Sequence, residues 1–148
     1  MKVLIDGDGC PVIDITVSLC IKRGIKCIIL CDTSHVFNKT GATTVMISKG
    51  NDTVDFALVN MADKGDIVVT QDYGLAAMCI AKQAKPISQN GMLYTNENID
   101  GLLMSRHAAR EVRMGGGRIK GQGKRTKDQN SLFLEKMIGL MEEQLKEY

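Results

Sequence analysis

Val3-Leu4-Ile5-Asp6-Gly7-Asp8-Gly9-Cys10-Pro11 opens the chain with an aliphatic run that ends in two acids one glycine apart. Ile67-Val68-Val69-Thr70-Gln71-Asp72-Tyr73-Gly74 repeats the pattern, an aliphatic run that leads into an acid. A short run without polar alternation reads as a strand covered on both faces, the usual state in a parallel sheet. Residues 2–5 and 66–70 are therefore predicted strands. Helical spacing follows each of them, over residues 12–22, with Pro11 suited to the first turn, and over residues 73–84. The stretch between them keeps the alternation. After Gly24, residues 26–31 form a second aliphatic strand and residues 43–47 a third. Residues 52–63 carry Val54, Ala57, Leu58, Met61 and Ala62 at helical spacing, and Gly65 closes that helix. A short strand is expected at 92–94 and a helix over 96–114. Strands that alternate with helices imply an α/β fold, a mostly parallel sheet flanked by helices.

The 148 residues suit one domain spanning 1–148, long enough to bury a core. With 44% hydrophobic and 24% charged residues, the chain has globular and not disordered composition. There is no Trp, and three Tyr and three Phe leave the core to aliphatic residues and nine Met. So few aromatics argue against base stacking as the main hold on nucleic acid. No apolar run nears the ~20 residues that span a bilayer, so no membrane partner is expected. The first apolar run, broken by Asp6 and Asp8, is not an export signal. Five Cys with no C-x-x-C pair, and only two His, read as buried free thiols of a cytoplasmic protein and not as zinc ligands.

Charge is unevenly spread. Between Arg106 and Lys127 stand eight Lys or Arg and one acid, Glu111, so this segment carries +7 while the rest of the chain carries −5. Arg106, Arg110 and Arg113 share one face of the predicted helix. Arg118, Lys120, Lys124, Arg125 and Lys127 follow in the Gly-rich stretch 115–127, which is expected to be flexible. Guanidinium forks and mobile ammonium groups bind phosphate, so the segment reads as a contact for RNA or another single-stranded nucleic acid. A solvated surface is the plainer use for the same charges. Over about residues 130–147, Leu132, Phe133, Lys136, Met137, Leu140, Met141 and Leu145 lie near one stripe. That is a C-terminal amphipathic helix, packed on the body or on a second copy in a homo-oligomer.

In parallel sheets, ligands bind beyond the carboxyl ends of the strands. Asp6, Asp8 and Asp72 would stand there, gathered at one edge if the two strands are neighbours. Asp52 and Asp55 sit three residues apart at a helix start, with Asp55 bordering the apolar stripe and Asp52 able to cap its own helix. A single Asp after a strand is ordinarily a turn former or cap. Two such strand ends and an acidic helix start together point to a shared site. Asp14, Asp63 and Asp66 have ordinary surface, helix-end and turn explanations, and Asp32 and Asp100 read as a strand exit and a helix start. Gathered carboxylates repel one another, and Mg²⁺ or Mn²⁺ relieves that repulsion. Beside a basic segment, the reaction class that fits is phosphodiester cleavage.

Asp6-Gly7-Asp8-Gly9-Cys10-Pro11-Val12 resembles the D-x-D-x-C-P opening of the YaiI/YqxD family of bacterial proteins. Gly65 through Ala76, spelled Gly-Asp-Ile-Val-Val-Thr-Gln-Asp-Tyr-Gly-Leu-Ala, resembles its second signature. Asp52 and Asp55 match the acidic pair between them. The family is similar to PIN-like domains, a superfamily of metal-dependent nucleases. The resemblance implies a three-layer α/β/α fold with acids at the carboxyl edge of a parallel sheet. Its first acid matches Asp6, its helical acid Asp55 or Asp52, and its third acid Asp72. It implies Asp6, Asp55 and Asp72 as catalytic residues, with Asp8 and Asp52 joining them as ligands of Mg²⁺ or Mn²⁺. Tyr73 and Gly74 hold positions where a further acid often lies, and Asp8 is the candidate to replace it. Gly7 and Gly9 stand where alanine is usual, which loosens the loop.

A metal-dependent nuclease is thus the leading expectation. A haloacid-dehalogenase-like phosphatase is the runner-up among enzymes, with Asp6 as nucleophile and Asp8 as acid/base. That scheme needs a later acid pair, and Gln71-Asp72 supplies one acid. The third reading is a non-catalytic module for nucleic acid or protein with an eroded metal site.

Overall fold

The computed structural model describes residues 1–32, 39–47, 53–114 and 124–147. Five strands, β1 (Lys2–Asp6), β2 (Lys26–Asp32), β3 (Thr43–Ile47), β4 (Ile67–Val69) and β5 (Lys85–Ile87), form one sheet in the order β3-β2-β1-β4-β5. Every neighbouring pair in that order runs parallel. Among the described residues, five helices connect and cover them: α1 (Ile13–Arg23), α2 (Thr53–Met61), α3 (Tyr73–Ala81), α4 (Ile99–Met114) and α5 (Lys127–Lys146). Among the described residues, no helix is long and apolar enough to cross a membrane.

Alternating side chains of the central strands feed two cores, which makes the fold a three-layer α/β/α sandwich. Val3, Ile5, Cys27, Ile29, Ile67 and Val69 pack with Val17 and Cys20 of α1 and with Phe133, Met137 and Met141 of α5. Leu4, Ile28, Leu30 and Val68 pack on the other face with Leu58 of α2 and Leu75 and Cys79 of α3. Helix α4 lies outside α3, where Ile99, Leu102 and Leu103 meet Ala76, Ala77 and Ile80. The two faces explain why these strands show no polar alternation.

Local chemistry sets the ends. Helix α1 starts at Ile13, so Pro11 precedes it instead of occupying its first turn. It stops at Gly24, whose φ of 64° is left-handed and lets the Ile25 N–H reach the Cys20 carbonyl at 2.9 Å. Helix α5 begins with a reciprocal capping box between Thr126 and Gln129. Its apolar stripe faces the body and is narrower than the sequence suggests: Phe133, Met137, Leu140 and Met141 are buried, whereas Leu132 and Leu145 are exposed.

The fifth strand is not where the pattern put it. The sheet takes Lys85–Ile87 as β5, and residues 92–94 fold back against that edge. The Tyr94 N–H donates to the Pro86 carbonyl at 3.0 Å, and Leu93 forms an antiparallel bridge with Ile87. A three-residue strand containing proline carries almost no sequence signal, and Pro86 is tolerated because β5 ends the sheet. All five cysteines are free, four of them buried. The basic, Gly-rich stretch falls outside the described residues from 115 to 123.

Candidate active site

Strands β1 and β4 are paired with Ile5 level with Val69, so Asp6 and Thr70 leave the sheet side by side. The chain runs outward from β1 to β2 and β3, then returns to β4 on the other flank of β1. The β1–β4 boundary is therefore the topological switch point, where parallel sheets open a crevice for ligands.

Thr70 joins the two acids. Its hydroxyl donates to Asp6 Oδ2 at 2.9 Å, and the same oxygen accepts the Asp72 N–H at 3.0 Å. The Tyr94 hydroxyl donates to the Thr70 carbonyl at 3.1 Å, and the Tyr94 ring meets Tyr73 edge-on with centroids 6.0 Å apart. Sequence reasoning missed both residues. Thr70 shows only a hydroxyl at the strand exit, which any strand-end threonine shares, and Tyr94 shows no signal at all.

Burial pushes the Asp6 carboxyl up to about 6 against the opposing Thr70 hydrogen bond, and the charges of Asp72 and Asp8 push it further in the same direction. The structure thus brings Asp6, Asp8 and Asp72 into one electrostatic neighbourhood. Asp8 sits on a turn closed by Gly9 at φ 71°, and its Oδ2 accepts the Asp32 N–H at 3.1 Å, which ties it to the end of β2.

Asp72 keeps the ordinary use of an acid at this position as well. Its Oδ1 accepts the Leu75 N–H at 3.0 Å and caps α3. Gly74 leaves that carboxylate room, since a Cβ there would stand 3.3 Å from Asp72 Oδ1. Asp55 lies in the first turn of α2. Burial pushes the Cys79 thiol up to about 12, with the Lys82 charge opposing and the charges of Asp55 and Asp6 adding. Asp52 lies outside the described residues. Among the described residues, no three acids, histidines or cysteines are grouped as a full metal-ligand set.

The basic residues divide. Arg106 places Nη1 3.8 Å from Asp72 Oδ1, which brings the start of the basic helix face to the acid pair. Its side chain is 62% exposed, so the contact adds little stability and leaves the guanidinium accessible to an anion. Arg110 and Arg113 continue along α4, with side chains outside the described set, as are Arg118 and Lys120 entirely. Lys124 is exposed ahead of α5. Arg125 is placed differently from a phosphate contact. Its guanidinium donates to Asn130 Oδ1 at 2.7 Å, Asn90 Oδ1 at 2.7 Å and the Gln89 carbonyl at 2.6 Å. It pins the start of α5 to the loop after β5.

Asp66, read from the sequence as a turn residue, is a buried ion-pair partner at the opposite end of the sheet. It accepts from Lys2 Nζ at 2.6 Å, from the Lys2 N–H at 3.0 Å and from the Asp63 N–H at 2.8 Å.

Known proteins match the chain over nearly its whole length. A UPF0178 protein of Exiguobacterium sibiricum is 52% identical over 143 residues, which is 97% of this chain and 98% of the relative. A UPF0178 protein of Ruminiclostridium cellulolyticum is 44% identical over 138 residues, 93% of this chain and 90% of the relative. The crystal structure of Rae1 (YacP) from Bacillus subtilis aligns at a TM-score of 0.45 and 16% identity, over 99% of this chain and 91% of that one. A family model described as "Uncharacterized BCR, YaiI/YqxD family" matches residues 4–143, and the chain belongs to that family.

Proposed function

We propose that the protein is a PIN-like nuclease that uses Mg²⁺ or Mn²⁺ to hydrolyse phosphodiester bonds in RNA or single-stranded nucleic acid. One observation carries this reading: Asp6 and Asp72 meet at the switch point of a parallel sheet, joined through Thr70, with Asp6 pushed to about 6 by burial and by its acidic neighbours. Carboxylate oxygens whose charges oppose one another are a donor set for a hard divalent cation. Mg²⁺ is commonly held by one or two carboxylates together with water and substrate phosphates, so the pair fits without a closed protein cage. Asp6 and Asp72 would hold the cation, with Asp8 close enough to contribute charge and Asp55, in the first turn of α2, as the further acid of the proposal. When bound, it supplies charge neutralisation for the phosphodiester and activation of the attacking water.

The chain's own residues set the rest. Thr70 fixes the Asp6 carboxylate and the Asp72 backbone in one frame. Arg106 offers a cation to a phosphate that approaches Asp72. Asp6 holds a proton below about pH 6, so the site gathers negative charge as pH rises through that value.

A non-catalytic module is the second reading, and a specific observation favours it. Asp72 Oδ1 is engaged in capping α3, and Tyr73 and Gly74 follow it where another acid would extend the site. The phosphatase scheme has less support, since the exit of β4 supplies Asp72 alone. Incubating short single-stranded RNA and DNA with the purified protein and Mn²⁺ or Mg²⁺ separates these readings. The nuclease reading expects cleavage by the wild type, and a loss of at least about a hundredfold in Asp72→Asn, the scale of removing one preorganised charge interaction. Binding without cleavage by the wild type selects the module. Equal cleavage by Asp72→Asn overturns the site.

A further inference from the structure

The loop Thr70-Gln71-Asp72, which carries one acid of the pair, is tied to more than Asp6. Gln71 Oε1 accepts the Gln89 N–H at 2.8 Å, which joins the loop after β4 to the turn after β5. Gln89 is also held from the other side. Its carbonyl accepts Arg125 Nη2 at 2.6 Å, while Asn90 Oδ1 accepts Arg125 Nη1 at 2.7 Å. One guanidinium fork thus grips two consecutive residues, a charge-assisted pairing that the point charge of a lysine does not reproduce. We propose that Arg125 is a positioning residue for the acid pair, holding the Thr70–Asp72 loop in place through Gln89 and Gln71, a role that rests on the reading of that pair as the reactive site.

The turn between the two ends of this link is stiff. The Ser88 N–H donates to the Met92 carbonyl at 2.9 Å, and the buried Ser88 Oγ accepts the Asn90 and Met92 N–H groups at 3.2 and 3.0 Å. Gly91 lets the turn lie against α5, since a Cβ there would stand 3.0 Å from the Leu132 carbonyl oxygen. A polar network whose members are satisfied is rigid, so a displacement at Arg125 is passed on to Gln71 and the adjacent Asp72. The Arg125 charge is also felt at the exit of β1. Burial pushes the Cys10 thiol up to about 11, with the Val12 backbone and the Arg125 charge opposing and the Asp6 charge adding. Arg125→Lys keeps that charge and removes the fork, which separates positioning from electrostatics.

The test measures backbone amide exchange by NMR in the full-length protein, in Gln71→Leu, Gln71→Glu and Arg125→Lys, and in Gln71→Leu combined with Arg125→Lys. It reads the Asp72 amide, which donates to Thr70 Oγ1, and as a control the Lys2 amide, which donates to Asp66 at the opposite end of the sheet. Gln71→Leu and Arg125→Lys should each speed Asp72 exchange about threefold to tenfold, the range of one net hydrogen bond, and leave Lys2 within about twofold of the wild type. Gln71→Glu keeps an acceptor for the Gln89 N–H and should exchange as the wild type does. Both substitutions cut one link, so the combined variant should exchange no faster than the faster single one. With single-stranded RNA and Mn²⁺, the single variants should lower kcat and keep KM, whereas loss of a phosphate contact would raise KM. A wild type that does not cleave overturns the nuclease reading and leaves the amide exchange to decide the link. The proposal is overturned if Asp72 exchange is unchanged in Gln71→Leu or in Arg125→Lys, or if Gln71→Glu behaves as Gln71→Leu does. It is also overturned if the two effects multiply in the combined variant, if Lys2 speeds up as much as Asp72, or if a raised KM is the only kinetic change.

Discussion

Asp6 contributes opposite effects to stability and to chemistry. Its carboxyl is raised to about 6 in the folded chain against 3.8 for the ordinary group, mainly because burial penalises the charged form. Below about pH 4 it is protonated in both states and carries no penalty. As pH rises from about 4 to about 6, the unfolded chain releases this proton first. Folding then loses on the order of 3 kcal/mol, and the loss stays at higher pH. Asp6→Asn keeps an oxygen for the Thr70 hydroxyl and removes the charge. Urea unfolding should show the variant gaining stability over wild type between pH 4 and 6, with a constant difference above. Parallel pH profiles would mean that Asp6 is not held in an environment hostile to its charge. Asp6 and Asp72 were legible in the sequence because an aliphatic run that ends in an acid marks a strand exit. Thr70 and Arg125 were not. A threonine looks the same whether it ends a strand or joins two acids, and the acceptors that hold Arg125 include Gln89 and Asn90, some 35 residues away.

Helix α5 is the element on which one core depends. Phe133 and Met137 are fully buried against β1, β2 and β4, and the helix is fixed at its start by the Thr126–Gln129 box and by Arg125. Phe133→Ala should destabilise the fold by about 3–5 kcal/mol, the cost of deleting a buried aromatic side chain and leaving a cavity. Leu132→Ala, one position away on the exposed side, should change stability by less than about 0.5 kcal/mol, as surface substitutions do. Chemical denaturation of the two variants checks the orientation of the helix, and equal losses would contradict it. The helix itself was readable from its stripe, though the stripe alone left open whether the body or a second copy covers it. The fifth strand was misplaced because Lys85, Pro86 and Ile87 provide one aliphatic position, whereas Met92 to Tyr94 look more strand-like and serve to cover the edge.

At the scale of the whole molecule, a body of net negative charge carries a basic segment that starts beside its acids. Phosphate contacts release counterions, so affinity for single-stranded RNA should fall steeply with salt, with each contact adding about 0.7 to the slope of log affinity against log salt. Arg110→Ala combined with Arg113→Ala should lower that slope by about 1.4 and weaken binding on every sequence alike, since phosphate contacts carry no base readout. Fluorescence anisotropy across salt concentrations measures this, and a flat profile for the wild type would remove nucleic acid as the partner. Arg125 is unsuitable for the same experiment, because its loss would loosen α5. If Asp6 and Asp72 hold a divalent cation as proposed, a cation that binds only the folded chain must stabilise it. Thermal melts of wild type and Asp6→Asn with and without Mn²⁺ at pH 7.5 test this most directly. A cation held by the acid pair should raise the wild-type Tm increasingly with Mn²⁺ concentration and leave Asp6→Asn unmoved; no rise in the wild type, or equal rises in both proteins, would mean that the pair holds no cation.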